Sequence, residues 1–542
     1  MHWADAVAKS LSYRGDKHVI ASGITPSGEF HIGHLREILT SDIIKRACQN
    51  IDLEIEFVFF VDDADPLRKV YSFLDQSYEQ YIGHQLANIP PPDTNGVPDQ
   101  ERFSQGISYA NHFLEPFIKA LELIGVEIDE IIYNYASYQS GKFADCSRIA
   151  CNRADDIREI IERVSGRELD ADWFPWNPID HKGSIDGVRI TGWDDPVVSW
   201  IDSDGNNGQS DVTKGEGKLP WRVDWPAKWN WRGVTMEPFG KDHGAAGGSY
   251  STGKEIAQIL GNIPPHPLTY EWISLKGVGA MSSSTGVSIG PLEALELVPP
   301  EIMRYLIARN KPQRHIEFNT GSALIELADE YQRKYAELES GKPKNWEELS
   351  RRQQMAWETL VAQVGFSRVD ESAIESSRVS FRHLALLAQL RSEDADIWAS
   401  LLRSQLIGQK EYDELKSDNE QKLSRRLRMM RTWINSQHFP EDFRLRIQSE
   451  LSDGAKSHLD SRDCDYLRAL QTELQTCLWD SKTINNHICD LAKSREIKLR
   501  DAFQMIYWII LDQNFGPKLA AIMEELDRVT VIKLLDEAIE YL

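Results

Sequence analysis

His31 and His34 stand three residues apart in Ser22-Gly-Ile-Thr-Pro-Ser-Gly-Glu-Phe-His-Ile-Gly-His34. On a helix or tight turn that spacing points both imidazoles the same way. Two such donors can grip one phosphate chain. Gly23, Gly28 and Gly33 allow unusual dihedrals and let a ligand lie close to the backbone. The free N–H groups of the helix that follows would face an anion. Ordinary polar residues at a helix start are the plainer reading. A metal pair is a third, but no third ligand stands at motif spacing.

A cluster of small hydroxyls lies far along the chain, in Lys276-Gly-Val-Gly-Ala-Met-Ser-Ser-Ser-Thr-Gly286. Ser282, Ser283 and Ser284 and their backbone N–H groups can wrap phosphates; a plain linker has the same composition. Asp62, Asp63 and Asp65 follow an apolar run, either as site residues or as a capped turn at a strand end. Arg425, Arg428 and Arg431 share a helix face by i,i+3 spacing. They read as a phosphate-contacting ridge or as a surface with neutralising partners.

The hydrophobic pattern supplies the elements that must hold these residues. Val19–Ala21 reads as a strand, Leu35–Ile44 as a helix and Ile55–Val61 as a second buried strand. That order is the βαβ signature of a parallel sheet, which binds ligands beyond the carboxyl ends of its strands. A helix over 103–124, a strand over Ile128–Tyr135 and a helix over 143–164 follow. Periodicity is then lost from about 165 to 235, which predicts an irregular insert with short antiparallel strands near 188–190 and 197–201. Beyond it lie a strand end at Val234, the helix Lys254–Leu260 capped by Ser251 or Thr252, and the strand Tyr270–Leu275.

After Pro299-Pro300 the pattern becomes helical. The segments Pro300–Arg309, Phe381–Leu390, Ala395–Leu406, Leu423–Trp433, Tyr466–Leu478, Ile497–Leu511 and Pro517–Leu526 predict an all-α half. At 542 residues the chain can fill several cores. Its formal charge of -23 argues against a protein that coats nucleic acid non-specifically, though a local basic face could still bind RNA. No run of about 20 apolar residues suggests a membrane span. The six cysteines form no Cys-x-x-Cys pair, as expected of reduced thiols without structural zinc.

His31-Ile-Gly-His34 is the HIGH signature of class I aminoacyl-tRNA synthetases, and Ala280-Met-Ser-Ser-Ser284 resembles their KMSKS loop. More particular strings resemble the class I lysyl-tRNA synthetases: Ser22–Gly28, His34–Thr40, Asp62–Lys69, Trp221-Arg-Val-Asp-Trp-Pro226 and Gly240-Lys-Asp-His243. The resemblance is dense over residues 18–290 and general in the helical half. It implies a multidomain α/β chain. Residues 1–295 would form a Rossmann-type (HUP-like) parallel-sheet catalytic domain, with the insert at about 165–235. Residues 296–385 would form a helical stem-contact or linker domain, and 386–542 an all-α, cage-like anticodon-binding domain.

The implied reaction joins L-lysine and ATP into lysyl-adenylate, then passes the lysyl group to the 3′ end of tRNA(Lys). Magnesium would enter with the nucleotide. By the same resemblance Pro26, Gly28, His31, Gly33, His34 and Met281 with Ser282–Ser284 bind ATP. Gly23, Thr25, Asp62, Trp221, His243 and Tyr270 line the lysine pocket. Arg425, Arg428 and Arg431 touch tRNA, and the protein is a cytoplasmic monomer with no membrane contact. Two departures stand out. Ala280, Ser283 and Thr285 occupy positions where signature loops carry lysines, which leaves Lys276 as the nearest upstream cation and casts it, with His31, His34 and Ser283, as catalytic. The insert also lacks the paired thiolates of a zinc knuckle. Two alternatives remain: a related synthetase for another amino acid such as glutamate, and a non-ligating tRNA-binding paralogue. An acidic pocket would favour lysine, and converging arginines would favour a carboxylate substrate.

Overall fold

The computed structural model describes residues 1–275, 279–280, 289–369, 379–417, 422–436 and 438–542. They form two compact units. One comprises Met1–Leu295, Pro300–Phe318 and Ser340–Ile374, and the other Glu296–Pro299, Asn319–Glu339 and Glu375–Leu542.

The first unit is built on a five-stranded parallel sheet. Its strands are β1 (Lys17–Ile24), β2 (Glu54–Val61), β3 (Glu130–Tyr133), β4 (Met236–Gly240) and β5 (His266–Tyr270). Their spatial order is β5-β4-β1-β2-β3. β1 pairs with β2 from Lys17↔Glu54 to Ile24↔Val61, and meets β4 at Ile20↔Met236. The chain therefore builds outward from β1 to one side and later returns to its other side. Between β1 and β4 lies the switch point at which such sheets open a crevice. Burial on both faces explains why the central strands read as unbroken apolar runs. Ala21, Val58, Phe60, Ile132, Trp225, Trp229 and Phe239 pack into one cluster around them.

The structure corrects several expected boundaries. The helix expected over 103–124 is two, Gln100–Ser104 and Tyr109–Leu123, because Asp99 and Ser108 each cap a separate start. The one expected over 143–164 breaks at Arg153 into Ala144–Asn152 and Ala154–Ser165. The strand expected at Tyr270–Leu275 is also two: β5 ends at Tyr270, the Glu271 N–H donates to the Pro312 carbonyl, and Ile273–Leu275 joins a separate small sheet. Neither Ser251 nor Thr252 is a cap, since both lie inside the helix Ser249–Ile259, whose N-cap position is Gly248.

The insert is more regular than its composition implies. Arg189–Asp194, Val197–Ile201 and Asn207–Asp211 form an antiparallel ribbon. Gly208 is required there, because a Cβ would come within 2.1 Å of the Trp200 ring. Its last part, expected to be irregular, is the helix α1 (Trp221–Arg232), with Pro226 inside it.

The second unit is helical throughout its described residues. The expected helices appear at Phe381–Leu390, Asp394–Arg403, Lys422–Asn435, Cys464–Thr476, Leu499–Leu511 and Leu519–Glu525. Ile484, Ile488 and Ala492 repeat at four-residue spacing and pack with Tyr466, Leu470, Ile506 and Leu535 into one core. Among the described residues no helix is long and apolar enough to cross a membrane.

Candidate active site

β1 runs into a tight loop in which Pro26 and Gly28 are buried, and the helix Ile32–Gln49 follows. Its first turn corrects one expectation: the backbone N–H groups are not free for an anion. The Ile32 N–H donates to the Ile289 carbonyl at 3.1 Å, the His34 N–H to the His31 carbonyl at 3.0 Å, and the Gly33 N–H to Nδ1 of His31 at 3.1 Å. The His31 N–H in turn donates to Nδ1 of His34 at 3.1 Å. Nδ1 of His31 accepts and is therefore unprotonated, which leaves that ring's proton on Nε2; Nδ1 of His34 also lies 3.2 Å from the His31 carbonyl oxygen, so it accepts in one tautomer and donates in the other. Burial holds the His31 imidazole down to about 4. Burial, with His31 beside it, brings His34 to about 3. Both rings are neutral at pH 7, and His31 presents an Nε2–H donor.

A cavity of about 200 Å³ lies at the β1/β4 switch point. Gly23, Thr25, Asp62, Trp221 and His243, all expected of the lysine pocket, line it. Phe60, Trp225 and Phe239 complete its aromatic wall. The rings of Trp221 and Trp225 lie 4.9 Å apart, with His243 within 5.6 Å of both. Tyr270 does not line it but stands behind Glu37, to which its hydroxyl donates at 2.7 Å.

Asp65, singled out with Asp62 from the sequence, also lines the cavity, whereas Glu37, Asp224 and Glu237 were missed; together they make five carboxylates and no arginine. Lys228 ion-pairs with Asp62 and, at 2.9 Å, with Asp224, while Lys218 pairs with Asp65. Burial alone would push the Lys228 ammonium down, but Asp224 and Asp62 more than offset it and hold it above its ordinary value. Glu37 accepts from the Ser22 hydroxyl at 2.7 Å, the Gly23 N–H at 3.1 Å and Tyr270, yet burial still raises its carboxyl. Glu237 accepts from the indole N–H groups of Trp225 and Trp229, and burial pushes it up to about 7. Glu37 is three residues after His34 on one helix, so the two neutral imidazoles and the acidic cavity share a scaffold.

Lys276, Met281, Ser282, Ser283 and Ser284 lie outside the described residues. In the helical unit Arg425 and Arg428 are exposed, opposite the buried Leu423, Leu427, Met430 and Trp433. Arg431 is half-buried and pairs with Asp394 at 2.8 Å. Among the described residues no group of three His, Cys, Asp or Glu side chains is placed to hold a metal ion.

This arrangement is matched by known proteins. The tRNA synthetases class I (K) family matches residues 1–362, and an anticodon binding domain family matches residues 419–539. A lysine–tRNA ligase of Archaeoglobus fulgidus is 37% identical over 528 residues, covering 97% of this chain and 97% of that one. A lysine–tRNA ligase of Thermoplasma volcanium is 37% identical over 528 residues, covering 96% and 95%. A solved glutamate tRNA ligase of Elizabethkingia meningosepticum aligns over 96% of this chain and 99% of that one at 12% identity, with a TM-score of 0.40.

Proposed function

The chain belongs to the class I (K) family of tRNA synthetases, and we infer that it activates L-lysine with ATP and transfers it to tRNA(Lys). One observation carries the choice of amino acid: the switch-point cavity is lined by five carboxylates and no arginine. A carboxylate side chain such as that of glutamate would enter a field of its own sign, whereas an ammonium would be compensated.

The first step joins two anions, the lysine carboxylate and the α-phosphate, so the site must align them and offset charge. A carboxylate oxygen forms the new bond to the α-phosphorus as the bond to pyrophosphate breaks. His31 and His34 fit the nucleotide because both rings are neutral, their Nδ1 atoms are occupied by backbone, and His31 keeps its proton on Nε2. Pro26, Gly28 and Gly33 shape the loop against which ATP lies. Magnesium supplies further charge compensation on the phosphates. We assign Lys276, Met281 and Ser282–Ser284 to the pyrophosphate side, with Ser283 and Lys276 in place of the usual lysines.

Gly23, Thr25, Trp221 and His243 enclose the amino acid, Tyr270 acts through Glu37, and Asp62 through its pair with Lys228. In the second step the 2′-hydroxyl of the terminal adenosine takes the lysyl group and AMP leaves. The tRNA runs past a stem-contact segment at 296–385 to the helical domain at 386–542, where Arg425, Arg428 and Arg431 meet phosphates. The protein acts as a monomer in the cytoplasm. Aminoacylation of purified tRNA with each amino acid in turn tests the reading: lysine alone is charged, and charging with glutamate instead would refute it.

A further inference from the structure

Glu237 stands apart from the other carboxylates of the cavity. Lys228 compensates Asp62 and Asp224, and Lys218 compensates Asp65. Glu37 is held by two hydroxyls and the Gly23 N–H, and its charge acts on Glu237 from nearby. Glu237, 5% exposed, has only two indoles: Trp225 donates to Oε1 at 2.9 Å and Trp229 to Oε2 at 2.5 Å. Trp225 and Trp229 are one turn apart on α1, so both N–H groups reach one carboxylate from one face.

We propose that Glu237 is the specificity-determining residue that receives the side-chain ammonium of the amino acid substrate. The assignment rests on the lysine-activating function inferred above. Each oxygen accepts from one indole N–H, and the ionised carboxylate, an acceptor only, keeps about two of its four lone-pair sites for the cavity. A substrate group there must bring donors. Position decides which group that is. The reacting carboxylate must meet ATP at the rim, beside His31 and His34. Glu237 is the second residue of β4, three residues below the strand end at Gly240, or about 10 Å at strand rise. An amino acid with its carboxylate at the rim therefore points its side chain toward Glu237, along Trp225 and Phe239.

The charged and titratable groups around this carboxylate are Glu37, Asp62, Asp65, Asp224, Lys228 and His243 on the lining, with Lys218 behind Asp65 and Tyr250 on the helix Ser249–Ile259. Burial raises Glu237 to about 7. An ammonium binds the ionised form, so lysine KM falls as pH rises through about 7.

Lysine-driven ATP–pyrophosphate exchange by the full chain tests this, with norleucine as the uncharged isostere and E237Q and E237D as variants. E237Q is expected to raise lysine KM by about 10- to 100-fold. It leaves ATP KM and norleucine KM unchanged and removes the pH dependence near neutrality. E237D restores part of the lysine preference. The wild-type pH profile of lysine KM reads the same group without a variant. An E237Q lysine KM within twofold of wild type, or lysine and norleucine KM rising together, overturns the proposal while the lysine reading stands. Absence of lysine-driven exchange in the wild-type protein overturns that reading, and this proposal with it.

Discussion

The ring centroids of His31 and His34 lie 4.0 Å apart, and Nδ1 of each accepts a backbone N–H from the same helix start. The capping that satisfies the first turn thus also fixes the tautomer of His31, whose proton stays on Nε2. His34→Ala removes the second imidazole of the pair. The expected result is a loss of roughly 10²–10³ in the kcat of lysine-driven pyrophosphate exchange, with lysine KM little changed. Steady-state exchange kinetics read both.

Both imidazoles are held below their ordinary value, to about 4 and about 3. The unfolded chain, with histidines near 6.5, therefore binds protons that the folded chain does not. Their contribution to stability is fully present above about 6.5 and is lost as pH falls toward the folded values. Thermal melts between pH 7.5 and 5 read this loss as a difference from a variant without the two imidazoles, because Glu237, raised to about 7, contributes with the opposite sign over the same window. In that double variant, His31→Asn with His34→Asn, Tm should lie higher relative to wild type at pH 5 than at pH 7.5.

Lys228 is almost wholly buried between Asp62 and Asp224. Lys228→Met leaves two buried carboxylates without their cation, at a cost of about 3–5 kcal/mol. The midpoint of thermal unfolding should drop accordingly. Asp224→Asn in the same chain, which returns the cluster to its original net charge, should recover part of it.

Arg425 and Arg428 project from one exposed face of the helix Lys422–Asn435. Replacing both with alanine should weaken tRNA binding and lower the slope of log affinity against log salt by about one unit per lost phosphate contact. Lysine activation without tRNA should be unchanged. Filter binding across a salt series and the exchange assay separate the two effects.

The His31 loop was legible because its chemistry is local: glycines, histidines and the flanking strand and helix lie within a short span. The acidity of the cavity was not. Glu37 and Glu237 gain their meaning from Tyr270, 233 residues away, and from indoles eight and twelve residues back across a turn. A single charged residue in a helix or strand pattern otherwise reads as solvent-facing. α1 did carry a signal, since Trp221, Trp225 and Trp229 repeat every four residues. Pro226 obscured it, because a proline well inside a segment reads as a breaker. Here its lost N–H falls in the second turn of a helix buried by its tryptophans. The antiparallel ribbon was half legible, its third strand hidden by glycine and asparagine that accommodate Trp200.

The most direct measurement is ATP–pyrophosphate exchange by the purified chain, with lysine, glutamate and arginine supplied separately. The acidic switch-point cavity predicts exchange with lysine and background rates with glutamate. Exchange driven by glutamate, with lysine silent, would contradict it.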